Sequence, residues 1–81
     1  MTIAVRLFAR ARDLAGADGV EVCVDAPATV GDVRDALMTH CPKLVTLGQH
    51  LLAAVNSNYA NDLDAIPAGS EVAFFPPVSG G

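Results

Sequence analysis

The chain has 81 residues, of which 52% are apolar and 17% charged, and its formal net charge is −4. This length fits one domain, and the apolar content exceeds what so small a core can hide, which indicates a docking face for another protein. Five basic residues without a cluster exclude nucleic-acid binding, which needs grouped Lys and Arg. Without a signal peptide or a membrane-spanning run, the sequence predicts a cytoplasmic protein.

Alternating apolar residues predict a first strand from Thr2 to Phe8, whose inward face is formed by Ile3, Val5 and Leu7. On the opposite face, Arg6 and Phe8 point away from the core. The stretch Ala9 to Ala15 is rich in Ala, Arg and Leu and is followed by Gly16, a residue type that commonly ends helices. A short helix is therefore predicted directly after the first strand.

A second strand and the main helix follow. Asp18-Gly19 is a turn signal, and the strand after it has its alternating apolar positions at Val20, Val22 and Val24. Thr29, with Asp32 three residues later, resembles a capping box in which Asp replaces the preferred Glu or Gln. Pro42 ends this helix, and its apolar stripe is formed by Val33, Ala36, Leu37 and Cys41.

The segment after this helix is compatible with either a helical turn or a loop over residues 43–50. A strand is predicted from Leu51 to Val55. It is followed by a tight turn at Asn56-Ser57-Asn58, where Asn tolerates left-handed backbone geometry. A short strand then begins at Tyr59.

Residues 61–70 are predicted to form a loop, in which Asp62 and Asp64 are interpreted as solvated turn residues rather than an acid/base pair. The last strand runs from Glu71 to Phe75, and one of its faces is formed by Val72 and Phe74. Runs of strands around a single long helix predict an α+β fold, in which a mixed sheet wraps the main helix.

No catalytic or metal-binding pattern is recognisable. His40 and His50 lie outside any metal-ligand spacing, and Cys23 and Cys41 form no C-x-x-C pair. We interpret both cysteines as small buried apolar residues. The chain is therefore predicted to bind no cofactor and no metal by itself.

A candidate docking surface follows from strand alternation. If the first and last strands are neighbours, Phe8 and Arg6 lie beside Phe75 on the outer sheet face, in an exposed aromatic patch that Tyr59 extends. The alternative is that local loops cover these aromatics or that they are scattered surface residues.

The sequence ends in Gly80-Gly81 after an apolar strand and the proline pair Pro76-Pro77. Prolines favour an extended polyproline geometry, and glycine fits a channel too narrow for any side chain. We expect a body of residues 1–75 and an extended tail of residues 76–81 that could reach about 20 Å into a partner. The alternatives are a frayed terminus or an expression remnant.

Three segments resemble the small subunit of molybdopterin synthase, the MoaD-type sulfur carrier. They are Leu7-Phe8-Ala9, then Leu51-Leu52-Ala53-Ala54-Val55-Asn56, and the ending from Gly69 to Gly81, which reads GSEVAFFPPVSGG. The similarity spans nearly the whole chain and implies a ubiquitin-like β-grasp fold. The chain departs from the family pattern around Asn58 to Asp64 and at Cys23 and Cys41, which leaves the loop contacts open but not the role of the tail.

The resemblance implies that an ATP-using activating enzyme adenylates Gly81, next to the slim Gly80. Sulfur from a sulfurtransferase donor then replaces AMP to give a thiocarboxylate. The tail would enter the large subunit of a heterotetramer and deliver sulfur to cyclic pyranopterin monophosphate during molybdenum cofactor biosynthesis. The chain itself would be a carrier that takes part in catalysis only within this complex.

The resemblance also implies partner contacts. Phe75, together with Phe8, Arg12 and Tyr59, would contact the large subunit or the activating enzyme. The insertion path would be lined by Pro76, Pro77, Val78 and Ser79. Three rival interpretations remain: a sulfur carrier for thiamine thiazole synthesis, a ubiquitin-like modifier conjugated to lysines, and a binding module whose tail has no role.

Overall fold

The computed structural model describes residues 1–77. In chain order its elements are β1 (Thr2–Leu7), α1 (Ala9–Ala15), β2 (Gly19–Cys23), α2 (Val30–His40), β3 (Leu52–Val55), β4 (Asn58–Ala60) and β5 (Glu71–Phe75). Two 3-10 turns, Pro42–Thr46 and Gly48–His50, connect α2 to β3. The order of strands and helices is the one predicted from the sequence.

The strands form one mixed sheet in the order β2-β1-β5-β3-β4. The central pair, β1 and β5, is parallel, and the other neighbours are antiparallel. The main helix α2 packs on one face of this sheet, which is the predicted ubiquitin-like β-grasp. The C-terminal strand β5 therefore lies in the middle of the sheet, between β1 and β3.

The core fills the space between the sheet and α2. The inward side chains of β1 and β5 are almost completely buried, with exposures of 0–1% for Ile3, Val5, Leu7, Val72 and Phe74. Strand alternation thus assigned both inner faces correctly. Burial of large apolar side chains of this kind contributes about 1.5–3 kcal/mol each to folding.

The ends of both helices follow the predicted signals. At the start of α2, the Thr29 hydroxyl accepts from the Asp32 N–H at 3.3 Å, and the Asp32 carboxylate accepts from the Thr29 N–H at 2.9 Å. The shorter Asp side chain therefore completes the capping box. Gly16 ends α1 with a φ of 74°, a conformation that glycine adopts without strain.

A buried arginine joins α2 to the segments that precede β3 and β5. Arg34 is only 7% exposed, and its Nη1 donates to the carbonyls of Gly48 at 2.6 Å and Leu51 at 2.8 Å. Its Nε and Nη2 donate to Oδ1 of Asp62 at 3.1 and 2.9 Å. Asp62 lies in a turn and its side chain is 46% exposed, as interpreted from the sequence, but its carboxylate also pairs with this guanidinium, which the sequence interpretation missed.

Two further interpretations need correction. In the predicted stripe of α2, Val33 and Leu37 are buried, but Ala36 and Cys41 are only half-buried. Cys23 is exposed rather than buried, because it alternates with an inward residue and lies on the outer face of β2. Neither cysteine forms a disulfide.

The connection from α2 to the β3–β4 hairpin resolves the ambiguous segment at residues 43–50, which is helical but of the tighter 3-10 type. Leu51 is buried and ends the second turn, so that β3 begins one residue later than predicted. Asn56 and Ser57 have φ values of 49° and 73°. Two consecutive positive φ angles are typical of the tight turns that join twisted antiparallel strands.

Candidate partner-docking surface

The outer face of the sheet brings together side chains that are distant in sequence. Because β1 and β5 are parallel neighbours, Arg6 lies opposite Ala73 and Leu7 lies opposite Phe74. The next residues along each strand, Phe8 and Phe75, therefore reach the same end of the sheet. The expectation that the first and last strands are neighbours is confirmed.

Four large side chains form an apolar surface at this end of the sheet, which we call the outer-face patch: Phe8, Leu52, Tyr59 and Phe75. Strand pairing places Leu52 opposite Phe75. The rings of Tyr59 and Phe75 meet edge to face, with centroids 5.8 Å apart and an interplanar angle of 62°. This geometry is favourable for aromatic pairs. The predicted grouping of Phe75 with Tyr59 is thus present in the structure.

Within the patch, the exposure of Tyr59 is 80%, about twice the 43% of Phe8 and the 41% of Leu52. Across the outer face, Ala73 of β5 lies opposite Ala54 of β3, and Ala54 lies opposite Tyr59 of β4. These alanines leave a flat floor beside the patch. A flat apolar centre with exposed aromatic side chains is suited to burial against another protein.

Charged groups border the patch on the β1 side. The Arg6 guanidinium lies 5.7 Å from the centroid of the Phe8 ring and 3.9 Å from the Glu71 carboxylate. Both charged side chains are about half exposed, so that this ion pair adds little to folding stability. The pair thus gives the apolar patch a polar rim on this side, as is common at the edge of protein interfaces.

Sequence reasoning missed Leu52 as a member of the patch. The available signal was its alternation with Ala53, which is buried on the inner face. Arg12, which the resemblance assigned to partner contacts, lies on α1 one turn beyond Phe8. Its guanidinium is 3.9 Å from the Asp13 carboxylate, with about half of the side chain exposed, and it is not one of the patch residues.

The patch lies where β5 leaves the sheet. The strand ends at Phe75, Pro76 is half-buried and Pro77 is exposed. The remaining predicted tail residues lie outside the described part of the chain: Val78, Ser79, Gly80 and Gly81. Their extended conformation and their roles stay predictions. The structure does place the root of that segment next to the aromatic surface.

Within residues 1–77, no group of three His, Cys, Asp or Glu side chains is arranged to hold a metal ion. Over the same range, none of the helices has the length and apolar character needed to cross a membrane. The Asp62 carboxylate is paired through its Oδ1 with the buried Arg34 guanidinium, at 2.9 Å from Nη2.

The fold is that of a ubiquitin-like protein, and the outer face of its sheet carries an exposed aromatic patch. The model of the ThiS family matches residues 5–81, and the chain belongs to this family. Its recognition as a relative of the MoaD-type sulfur carriers is thereby confirmed.

Individual relatives cover nearly the full chain. The molybdopterin synthase sulfur carrier subunit of Escherichia coli is 41% identical over 81 residues, covering 98% of this chain and 99% of the relative. Small archaeal modifier protein 1 of Haloferax volcanii is 42% identical over 84 residues, covering 94% and 97%. The crystal structure of that modifier superposes with a TM-score of 0.89 at 39% identity and full coverage of both chains.

Proposed function

We propose that this chain is the sulfur-carrier subunit of a molybdopterin synthase. Gly81 is adenylated by an ATP-dependent activating enzyme, and a sulfur donor then replaces AMP to give a C-terminal thiocarboxylate. The large subunit receives the tail and passes the sulfur to cyclic pyranopterin monophosphate. Two such transfers build the dithiolene that later holds molybdenum.

The observation that carries this proposal is the full-length similarity to the carrier subunit of Escherichia coli, at 41% identity. The outer-face patch supports it, because a carrier must dock on a large partner before its terminus can reach a reaction centre. The patch lies beside Pro76, where the chain leaves the sheet toward the predicted tail. Docking through the patch would aim the tail without any catalytic side chain in this chain.

The proposed sulfur transfer is better explained by a reactive C-terminal carboxylate than by a catalytic pocket in this chain. A carboxylate is a poor electrophile, and its conversion to an acyl-adenylate supplies AMP as a leaving group when sulfur attacks the carbonyl carbon. The thiocarboxylate that forms carries its negative charge on a nucleophilic sulfur, as a thiolate does. Gly80 and Gly81 have no Cβ, which allows a narrow channel to close around them.

The proposal is tested by intact-mass analysis with fragmentation of the chain purified natively from its own host. We expect a population in which one oxygen is replaced by sulfur, located at Gly81. A variant that lacks Gly81 should keep its fold by circular dichroism and lose sulfur transfer to the large subunit completely. Full transfer activity in this truncated chain would contradict the proposal.

A second candidate function is conjugation to lysine side chains, as for a ubiquitin-like protein modifier. The observation that favours it is the 42% identity to small archaeal modifier protein 1. Denaturing gels of host lysate would then show conjugates that disappear in the Gly81-deleted variant, with isopeptide bonds in their tryptic peptides. Capture of a thiazole synthase in place of a molybdopterin synthase large subunit would instead assign the carrier to thiamine synthesis.

A further inference from the structure

A second surface lies at the opposite edge of the sheet from β4. The strand β2 pairs with β1, and among residues 1–77 no strand pairs with its other side. Between this edge and α2 runs a groove lined by Glu21, Val22, Cys23, Ala36, Thr39 and His40. We infer that this edge and its groove bind an extended, basic peptide segment of a partner protein, which adds a strand antiparallel to β2.

The hydrogen-bond pattern shows which backbone groups are available. Met1 and Val24 exchange both of their backbone hydrogen bonds, and the Leu7 N–H donates to the Asp18 carbonyl. In an antiparallel pair, hydrogen-bonded positions alternate with positions whose N–H and C=O point away. In this register the N–H and C=O groups of Glu21 and Cys23 therefore face outward. They form a template for one further strand.

The groove sets which side chains an added strand can carry. Val22 points inward from β2 and is 4% exposed, and across the groove lie Ala36 and Thr39 of α2. These are small groups, so that the space between strand and helix accepts a branched aliphatic side chain. Since side chains of a strand alternate, the neighbouring residues of the added segment share the outer face with Glu21.

The negative charge of Glu21 and of the whole chain favours a segment of another protein, rather than a second copy of this chain, as the strand that pairs with β2. Antiparallel self-pairing centred on the middle of β2 would place Glu21 opposite its own copy, and like charges opposite each other are destabilising. The net charge of −4 adds to that repulsion. Among the described residues, no Lys or Arg lines the groove, whose polar lining consists of Glu21, Thr39 and the imidazole of His40. The same negative charges would stabilise a Lys or Arg of the added strand that lies opposite Glu21.

The test uses the full-length, ¹⁵N-labelled chain and a blocked heptapeptide of alternating valine and lysine. At saturating peptide we expect amide exchange at Glu21 and Cys23 to slow by about tenfold. The amides of Val20 and Val22 already pair with β1 and should change little. The matched heptapeptide with glutamate in place of lysine should give no protection.

Two variants separate backbone pairing from charge. Glu21→Pro removes an outward N–H but no hydrogen bond to β1, and a proline of this kind is tolerated in edge strands. This variant should abolish peptide binding. Glu21→Lys keeps the backbone intact and should reverse the preference toward the glutamate peptide. Tyr59→Ala, on the outer-face patch, should bind the lysine peptide unchanged.

The inference is overturned if neither peptide protects Glu21 and Cys23, or if both protect them equally. Protection in the absence of peptide that rises with protein concentration would also overturn it, since the occupant would then be a second copy. Chemical-shift changes confined to the outer-face patch would assign the peptide to the docking surface instead. None of these outcomes depends on sulfur chemistry at Gly81, so this inference and the proposed function are tested independently.

Discussion

The same strands form both faces of the sheet, but the side chains of one face are buried and those of the other are accessible to solvent. On the inner face, successive β5 residues Val72 and Phe74 are fully buried against α2. On the outer face, Ala73 and Phe75 alternate with them and remain partly accessible. One face therefore supplies folding free energy, whereas the other leaves large aromatic groups accessible to solvent. Under the proposed function, a change of one position along β5 moves the effect of a substitution from the stability of the fold to the affinity for the large subunit.

The sharpest test of this comparison is a pair of neighbouring substitutions. Phe74→Ala should lower the free energy of unfolding by about 3–5 kcal/mol, because it leaves a cavity in the core. Phe75→Ala should cost less than about 1 kcal/mol, because part of its ring is already in contact with solvent. Urea denaturation of both variants measures the difference. Equal destabilisation by the two substitutions would contradict the division between faces.

Arg34 is a charged residue in an otherwise largely apolar interior, and substitutions of Arg34 and its partner provide the second test of how the inner face is stabilised. Arg34→Met should lower the free energy of unfolding by about 2–4 kcal/mol, because the carbonyls of Gly48 and Leu51 lose a buried donor. The Asp62 carboxylate also loses its cation. Asp62→Asn should cost less, because an amide oxygen still accepts from the guanidinium. Thermal unfolding with both variants ranks them, and a stabilised Arg34→Met would show that packing outweighs these hydrogen bonds.

The smallest effect on folding is expected at Tyr59. Because its side chain is 80% exposed, Tyr59→Ala should change the free energy of unfolding by less than about 0.5 kcal/mol. Under the proposed function it should weaken binding to the large subunit by about tenfold, since truncating an aromatic anchor typically removes more than 1 kcal/mol. Isothermal titration calorimetry measures this, with Leu63→Ala as a control at another exposed apolar residue. Equal weakening by both variants would remove the patch from the interface.

Local patterns explain why most of the fold was predictable. Alternation identified the inner faces of β1 and β5, and the Thr29–Asp32 pair marked the start of α2 within one residue. Grouping Phe8 with Phe75 required only the further assumption that their strands are neighbours. That assumption was correct.

The features that were missed depend on contacts between distant segments. The acceptors of Arg34 lie 14 and 17 residues away for the two carbonyls and 28 residues away for Asp62. No helical or strand periodicity contains such a relation. The exposure of Cys23 was predictable from alternation, but the general tendency of cysteine toward burial was given more weight. Residue-type averages are weaker evidence than position along a strand.

The placement of β5 has a mechanical consequence. Because β5 is paired with β1 on one side and β3 on the other, a pull applied through Pro76 along the strand loads both ladders in shear. Their hydrogen bonds then share the force and must yield together, whereas a strand at the rim would peel off one bond at a time. Parallel pairing with β1 also places the start of β1 and the end of β5 at opposite ends of the sheet. Under the proposed function, a partner that pulls on the chain at Pro76 would therefore load β5 without detaching it from the body of the protein.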